Sequence, residues 1–256
     1  MAAILMGAYA ALTYVFFFLT FLYAIAFVDD LPFAPKTLDS GAQGPLISTL
    51  LVDALLLGLF AVQHSVMARP AFKRWWTRLV APPIERATYV LFASAALVVL
   101  YVFWRPLLAP IWSVSPGPAA TALMVLSLVG WGIVLVSTFL ISHFELFGLA
   151  QVYQRIRGAP QQRAEFRTPA LYRLVRHPIY AGFIIAFWAT PRMTIGHLIF
   201  AVGTLGYILI AIQLEEHDLV GLFGQRYLAY RRQVGMLFPK LGGAKAADVA
   251  ADSKAP

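Results

Sequence analysis

The chain has 256 residues and no cysteine; 60% of its residues are hydrophobic and only 12% are charged. The charged fraction is about half that of a soluble domain, which excludes an ordinary soluble globule. The high hydrophobic fraction excludes a disordered chain, and the absence of cysteine excludes a disulfide-stabilised secreted domain. The formal net charge of +8 names no partner by itself, because a polytopic membrane protein gathers Lys and Arg on its cytoplasmic loops. We expect no nucleic-acid partner.

Four apolar runs are long enough to cross a bilayer, which takes about 20 apolar residues in a helix. They cover residues 4–28, 46–68, 87–109 and 119–141. A fifth apolar region is interrupted, since residues 179–190 are followed by Pro191 and Arg192 before the run resumes over 195–214. This pattern predicts a hairpin with one short arm, or two coupled spans. The fold class is therefore an all-α polytopic membrane bundle of five or six transmembrane helices, with a C-terminal helical hairpin, a cytoplasmic C-terminal helix and no sheet.

Seventeen of the 20 Lys and Arg residues fall on one side of these spans. They lie between spans two and three, between span four and the hairpin, and after the last span. Lys36, Arg105 and Arg192 lie on the other side. The positive-inside rule therefore predicts that both termini are cytoplasmic. Residues 1–240 form one predicted membrane domain, and the polar composition of residues 241–256 predicts a disordered tail.

A polar cluster stands at the start of the short hairpin arm. Arg176, His177 and Tyr180 lie at the cytoplasmic mouth of an apolar run, and Pro178 suits the first turn of a helix. The free backbone N–H groups of such a turn attract a carboxylate, and Gly182 allows a ligand or another helix to approach closely. The cluster is equally typical of an anchor at the lipid headgroups.

A second polar cluster lies where the last span ends. Glu215 and Glu216 are adjacent carboxylates, which are costly at membrane depth unless they are paired or bind a ligand. They can accept hydrogen bonds from ribose hydroxyls or an ammonium group, or form ion pairs with the Arg-His pair of the short arm. Tyr227 and Tyr230 share a helix face, where they stack on an adenine or simply pack.

Two histidines are candidates for proton transfer. His64 lies near the cytoplasmic end of the second span, and His143 follows the fourth span, with Glu145 close by to orient it or to act as the base. Each histidine is equally compatible with a packing role. His197, on the other side, and the intramembrane Asp53 are interpreted as structural. No metal site is predicted, because the histidines are dispersed and cysteine is absent.

The two polar clusters also carry a family resemblance. Over residues 170–240 the chain resembles the isoprenylcysteine carboxyl methyltransferase group, with Gly235 as a departure where that group commonly has proline. The residues that carry this resemblance are Arg176-His177-Pro178-x-Tyr180-x-Gly182, Glu215-Glu216-x-x-Leu219, Phe223-Gly224-x-x-Tyr227-x-x-Tyr230 and Pro239. The region around Gln63-His64-Ser65, the Pro82-Pro83 turn and Phe187-Trp188 resembles the membrane methanethiol S-methyltransferases and the related denitrification-associated integral membrane proteins.

The resemblance implies an S-adenosylmethionine-dependent enzyme of the bacterial inner membrane that methylates methanethiol, a small volatile thiol, to dimethyl sulfide. It implies that S-adenosylhomocysteine is the second product and that the cofactor binds within about residues 142–240. A single chain suffices, with the lipid bilayer as its environment. The predicted cofactor-binding residues are Arg176, His177, Pro178, Tyr180, Gly182, Glu215, Glu216, Tyr227 and Tyr230, and the predicted catalytic residues are His64, His143 and Glu145.

Three other functions stay open on the sequence alone. The methyl acceptor could be a prenylcysteine, a phospholipid or a larger thiol. The Arg-His-Pro-x-Tyr element is similar to one in membrane sterol reductases, which implies an NADPH-dependent reductase as an alternative. A non-enzymatic membrane accessory protein would keep the fold without an intact cofactor site.

Overall fold

A computed structural model of the chain describes residues 2–159 and 166–240. The predicted all-α bundle is confirmed. Its helices are α1 (Ala2–Val28), α2 (Leu46–Ala68), α3 (Pro70–Trp76), α4 (Pro82–Phe103), α5 (Pro118–Ile141), α6 (His143–Leu146), α7 (Leu149–Arg157), α8 (Pro178–Trp188), α9 (Ile195–Phe223) and α10 (Gln225–Gln233), with a 3₁₀ helix at Ala170–Arg173. Of the helices described, α1, α2, α4, α5 and α9 are long and apolar enough to cross a membrane. The 11 residues of α8 form the short hairpin arm. The predicted disordered tail, residues 241–256, lies outside the described residues.

Two spans differ from the apolar runs that predicted them. Helix α4 begins at Pro82 because proline is favoured in the first turn, and it ends at Phe103 because Arg105 precedes Pro106, which disfavours helix at that position. The run 87–109 is therefore shifted. Helix α9 continues nine residues beyond position 214, so that the acidic cluster lies inside a helix.

A small antiparallel sheet corrects the expectation of a chain without strands. Strand β1 (Pro110–Ser113) pairs with β2 (Arg192–Thr194), and Trp112 lies opposite Met193. The sheet joins the loop between α4 and α5 to the turn between α8 and α9. Each strand has at most four residues beside a proline-rich turn, too few for an alternating pattern to be visible.

The spanning helices surround a central space. Helix α1 packs on α4, α4 on α2, α2 on α9, α9 on α8 and α8 on α5, while α7 packs on α1 and α4. At one end, the Arg69 guanidinium lies 2.9 Å from the Asp218 carboxylate, and Arg86 Nε donates to the Leu146 carbonyl at 2.8 Å. We call this the basic end. It brings together the start of α4 and the ends of α2, α5 and α9.

The opposite end contains the two groups that were interpreted as structural. Asp53 is fully buried, and its Oδ1 accepts a hydrogen bond from the backbone N–H of Arg105 at 3.0 Å. The His197 Nε2 atom lies 2.8 Å from the Phe187 carbonyl oxygen. Asp53 thus ties α2 to the segment after α4, and His197 ties α9 to the end of α8, both away from the basic end.

Glycine allows α5 and α8 to cross in backbone contact. A Cβ on Gly130 would lie 2.6 Å from the Ala186 nitrogen, and a Cβ on Gly182 would lie 2.7 Å from the Gly130 carbonyl oxygen. Both distances are shorter than real Cβ contacts allow. Of the two alternatives for Gly182, the neighbour in the structure is therefore another helix.

We expect Gly130→Ala to destabilise the fold by about 1–3 kcal/mol, because the added methyl group forces α5 and α8 apart. The measurement is thermal unfolding of the purified protein in detergent, followed by circular dichroism. Gly132→Ala is the matched control on the same helix, since no heavy atom lies within 4 Å of its added Cβ. Equal melting temperatures for the two variants would contradict the close crossing.

Candidate active site

A cavity of about 480 Å³ occupies the space between α1, α2, α4, α5, α8 and α9. Its volume is within the range of about 300–1,000 Å³ that is typical of small-molecule sites. Titratable groups line it towards the basic end, and aromatic side chains line it towards the middle of the bundle. The titratable groups include His64, Arg86, His143, His177, Tyr180 and Glu215.

The start of α8 is held in place by the segment that follows α10. The backbone N–H of Arg176 donates to the Gly235 carbonyl at 2.8 Å, and that of His177 donates to the Met236 carbonyl at 3.1 Å. Pro178 is buried at the first position of α8, where its missing N–H removes no helical hydrogen bond. The departure at Gly235 fits a tight turn, because a Cβ there would lie only 1.8 Å from a carbonyl oxygen.

Glu216 is the centre of a buried ion-pair cluster. Its Oε1 atom accepts from Arg176 Nε at 2.7 Å and lies 3.1 Å from His177 Nε2, while its Oε2 atom lies 3.2 Å from Arg231 Nε. The residue is only 3% exposed. Three donors, two from the adjacent residues at the start of α8 and one from α10, therefore engage this carboxylate, which satisfies the requirement that a buried charge be paired. Of the described residues, Glu216 is not one that lines the cavity.

Glu215 has the complementary position. It lines the cavity, 45% of its side-chain surface is exposed, and its Oε2 atom accepts a hydrogen bond from the Tyr180 hydroxyl at 3.1 Å. The His177 Nδ1 atom lies 3.9 Å from the same oxygen. Adjacent positions on a helix point about 100° apart, so one carboxylate faces the cavity while its neighbour is buried against the basic cluster.

His64 lines the cavity and is positioned by an aromatic neighbour. The Tyr89 hydroxyl lies 2.8 Å from its Nε2 atom and 3.1 Å from its Nδ1 atom. The Phe60 ring stacks on the imidazole at 5.1 Å, and the Tyr207 ring lies edge-on at 6.4 Å. Within the described residues, the Tyr89 hydroxyl is thus the hydrogen-bond partner of both ring nitrogens. Because one hydroxyl cannot form a full hydrogen bond with both nitrogens at once, the other nitrogen is open to a ligand.

His143 also lines the cavity, but both of its nitrogens are engaged. Thr138 Oγ1 lies 2.8 Å from Nδ1, and the Tyr14 hydroxyl lies 2.8 Å from Nε2. Burial lowers the pKa of His143, so that the imidazole stays neutral. Glu145 is exposed and is not one of the described cavity-lining residues. Tyr14 and Thr138, rather than Glu145, orient the ring.

The two tyrosines of α10 lie behind the site. Tyr227 and Tyr230 pack with Phe166 in a buried cluster, and the Tyr230 hydroxyl donates to the Tyr172 carbonyl at 2.5 Å. Burial raises the pKa of both phenols, which stay neutral. Among the residues described, neither tyrosine lines the cavity. Of the two alternatives for these tyrosines, stacking on an adenine or packing, the structure shows packing.

Several contributors to the site carry no local sequence signal. Tyr14 and His143 are 129 positions apart, and Tyr89 and His64 are 25 apart. In the sequence, Arg231 is only one of several basic residues after the last span, and nothing indicates its contact with Glu216. A tyrosine inside an apolar span is common in membrane proteins, so only the packing of the helices identifies these partners.

The fold and the site together define a class of protein: an integral membrane helix bundle with an internal cavity that is polar at one end. No protein-family model matches the chain, and no solved structure matches it. Curated relatives do match. A methanethiol S-methyltransferase of Mycobacterium tuberculosis is 54% identical over 231 residues, which are 90% of this chain and 94% of the relative. Methanethiol S-methyltransferase 1 of Bradyrhizobium diazoefficiens is 52% identical over 231 residues, 90% of this chain and 81% of the relative. The chain belongs to the methanethiol S-methyltransferase family of membrane proteins.

The chain is also similar to a more distant relative with a different name. Nurim of Bos taurus is 30% identical over 183 residues, which are 68% of this chain and 69% of the relative. The likeness therefore extends over most of the helical bundle.

The two adjacent glutamates give a matched stability test. Glu216→Gln removes the negative charge that neutralises Arg176 and Arg231, and a broken buried ion pair costs about 3–5 kcal/mol. We expect a clearly lower thermal midpoint for this variant in detergent. Glu215→Gln is the control, since its carboxylate is half exposed and bonded to a neutral hydroxyl. Equal losses in the two variants would refute the assignment of the buried cluster to Glu216.

Proposed function

We propose that the protein transfers a methyl group from S-adenosylmethionine to methanethiol and forms dimethyl sulfide and S-adenosylhomocysteine. The observation that carries this proposal is that Glu215 and His64 line the same cavity. One end of that cavity suits a charged cofactor and the other suits a small apolar acceptor. The names of the relatives that are more than 50% identical to this chain support the same reaction.

The groups at the polar end fit S-adenosylmethionine. The cofactor carries an ammonium group and ribose hydroxyls, and the partly exposed Glu215 carboxylate can accept hydrogen bonds from either. The backbone N–H groups in the first turn of α8, beside His177, suit the cofactor's carboxylate. Arg176 lines the cavity as well, and Glu216 behind it neutralises its guanidinium and helps to hold the start of α8.

The apolar walls suit the chemistry of methyl transfer to sulfur. When bound, S-adenosylmethionine supplies a methyl group on a positively charged sulfur, which becomes a neutral thioether once a thiolate has taken the methyl. The charges of thiolate and sulfonium cancel in this reaction, so water would stabilise the separated reactants more than the transition state. The aromatic side chains of the bundle exclude that water.

His64 is the residue that we assign to thiol deprotonation. A thiolate is the nucleophile, whereas a simple thiol is mostly protonated near neutral pH. The thiol proton passes to the unprotonated nitrogen of the neutral His64 ring, while the other nitrogen donates its proton to the Tyr89 oxygen, which keeps the ring in place. His143 has no comparable open nitrogen, since Thr138 and Tyr14 occupy both. We assign it to shaping the cavity wall.

The same proposal includes the orientation in the membrane. The basic end faces the cytoplasm, where the cofactor is made, because most Lys and Arg residues of the chain lie on that side. Both termini are then cytoplasmic, and the membrane is the bacterial inner membrane. One chain supplies every group named for the reaction.

Headspace gas chromatography of the purified protein in lipid, supplied with both substrates, is expected to detect dimethyl sulfide. His64→Ala is expected to lower kcat at pH 7 by about 100-fold, the lower range for a lost general base. The deficit should shrink as the pH rises, because the free thiolate increases about tenfold per pH unit below the pKa of the thiol.

The exposed His217 provides the control for this experiment. His217→Ala should keep the wild-type rate at every pH. An absence of dimethyl sulfide from the wild type would refute the proposed acceptor, and a pH-independent deficit in His64→Ala would refute the assignment of the base.

A cofactor-binding test separates the role of Glu215 from that of His64. We expect Glu215→Gln to raise the dissociation constant of S-adenosylhomocysteine about tenfold or more, because a charge-assisted hydrogen bond is worth about 1.5–3 kcal/mol. Isothermal titration calorimetry measures this constant. His64→Ala should bind S-adenosylhomocysteine as the wild type does. Unchanged binding by Glu215→Gln would remove this residue from the cofactor site.

A further inference from the structure

Trp131 of α5 stands where the cavity ends inside the bundle. The residue lines the cavity and is only 3% exposed. Its indole packs edge to face against three phenylalanines, with ring centroids 5.6 Å from Phe21, 5.8 Å from Phe183 and 5.6 Å from Phe187. Aromatic rings from α1, α5 and α8 thus form one wall.

The indole is fixed by a buried carboxylate. Trp131 Nε1 donates to Asp29 Oδ2 at 3.1 Å, and Ser127 Oγ lies 2.6 Å from Asp29 Oδ1. Asp29 is 8% exposed and follows the last residue of α1. A tryptophan whose N–H is held by a carboxylate has little freedom to rotate away when a longer ligand presses on it.

The backbone behind this wall is equally fixed. Trp131 follows Gly130 and Phe183 follows Gly182, the two glycines at which α5 and α8 cross in contact. From Tyr180, beside Glu215, to Phe187 there are seven residues of helix, or about 10 Å at 1.5 Å per residue. Only about two helical turns therefore separate the polar groups from the aromatic wall.

We infer that Trp131 limits the length of the alkyl group on the methyl acceptor, with Asp29 as the residue that positions it. This inference rests on the proposed function. The cofactor needs the polar end of the cavity, so the acceptor takes the apolar end with its alkyl group against the indole. The cavity has about 480 Å³ for both molecules, which leaves the acceptor little room beyond a short chain.

The test compares methanethiol, ethanethiol and 1-propanethiol as substrates of the wild type, Trp131→Ala and Trp131→Phe. One methylene in a pocket is worth about 10–200-fold in discrimination. The ratio of kcat/KM for 1-propanethiol to that for methanethiol is therefore expected to rise at least tenfold in Trp131→Ala, and by less in Trp131→Phe. The milder variant keeps an aromatic ring and guards against loss of folding.

Two further variants test whether Asp29 positions the Trp131 indole and whether the loss of any tryptophan has the same effect. Asp29→Asn should shift the same ratio in the same direction as Trp131→Phe, because the amide cannot accept from both Ser127 and the indole as the carboxylate does. Trp188→Ala is the matched control: this tryptophan is partly buried on α8, and among the described residues it does not line the cavity. Its ratio should equal that of the wild type.

A binding series decides the inference independently of catalysis. Saturation-transfer NMR with dimethyl sulfide and methyl propyl sulfide should detect only the smaller sulfide on the wild type, and both on Trp131→Ala. Equal binding of both sulfides to the wild type, or an unchanged substrate ratio in both Trp131 variants, overturns the role of Trp131. A wild type that binds only dimethyl sulfide but forms no sulfide from any thiol would instead refute the proposed function.

Discussion

The buried carboxylate of Glu216 is the interaction on which the rest of the site depends. It binds donors from the segment before α8, from His177 at the start of α8 and from α10. Without it, Arg176 and His177 would be buried next to each other with no carboxylate to compensate them, which is costly. Because α8 is only 11 residues long, the placement of its start depends on this cluster together with the backbone hydrogen bonds to Gly235 and Met236. The position of Tyr180, and with it the hydrogen bond to Glu215, follows from this ion-pair cluster.

The sequence predicts the spans and the two polar clusters because both depend on local composition. A run of about 20 apolar residues forms a helix in lipid whatever its neighbours are. The sequence could not predict which of Glu215 and Glu216 faces the cavity and which is buried in the ion-pair cluster. That depends on the orientation of α9 about its own axis relative to α8. The partners of His64 and His143 likewise come from other helices. The boundaries of α4 were predictable from Pro82 and Pro106, but hydropathy alone shifted them.

Packing and chemistry make opposite demands on this bundle. The glycine crossing of α5 and α8 leaves no space between these helices, whereas α1, α2, α4 and α9 hold a cavity open beside it. Aromatic side chains reconcile the two demands, because a few large rings can line a wide space without a polar group. The titratable residues then need to occupy only one end, where ion pairs and hydroxyl groups compensate their burial.

The buried aromatic side chains in the middle of the bundle also affect whether ions can cross the membrane through the protein. A polar cavity that extended through the whole bundle would be a path for protons and ions, and each charge that crossed would dissipate about 2.3 kcal/mol per 100 mV of membrane potential. The buried rings of Tyr101, Trp131 and Phe187 form an apolar layer across that path, and the pairing of β1 with β2 joins two loops on the far side of the bundle. A bundle with such a layer can hold a polar site at one end without a polar path through its whole length.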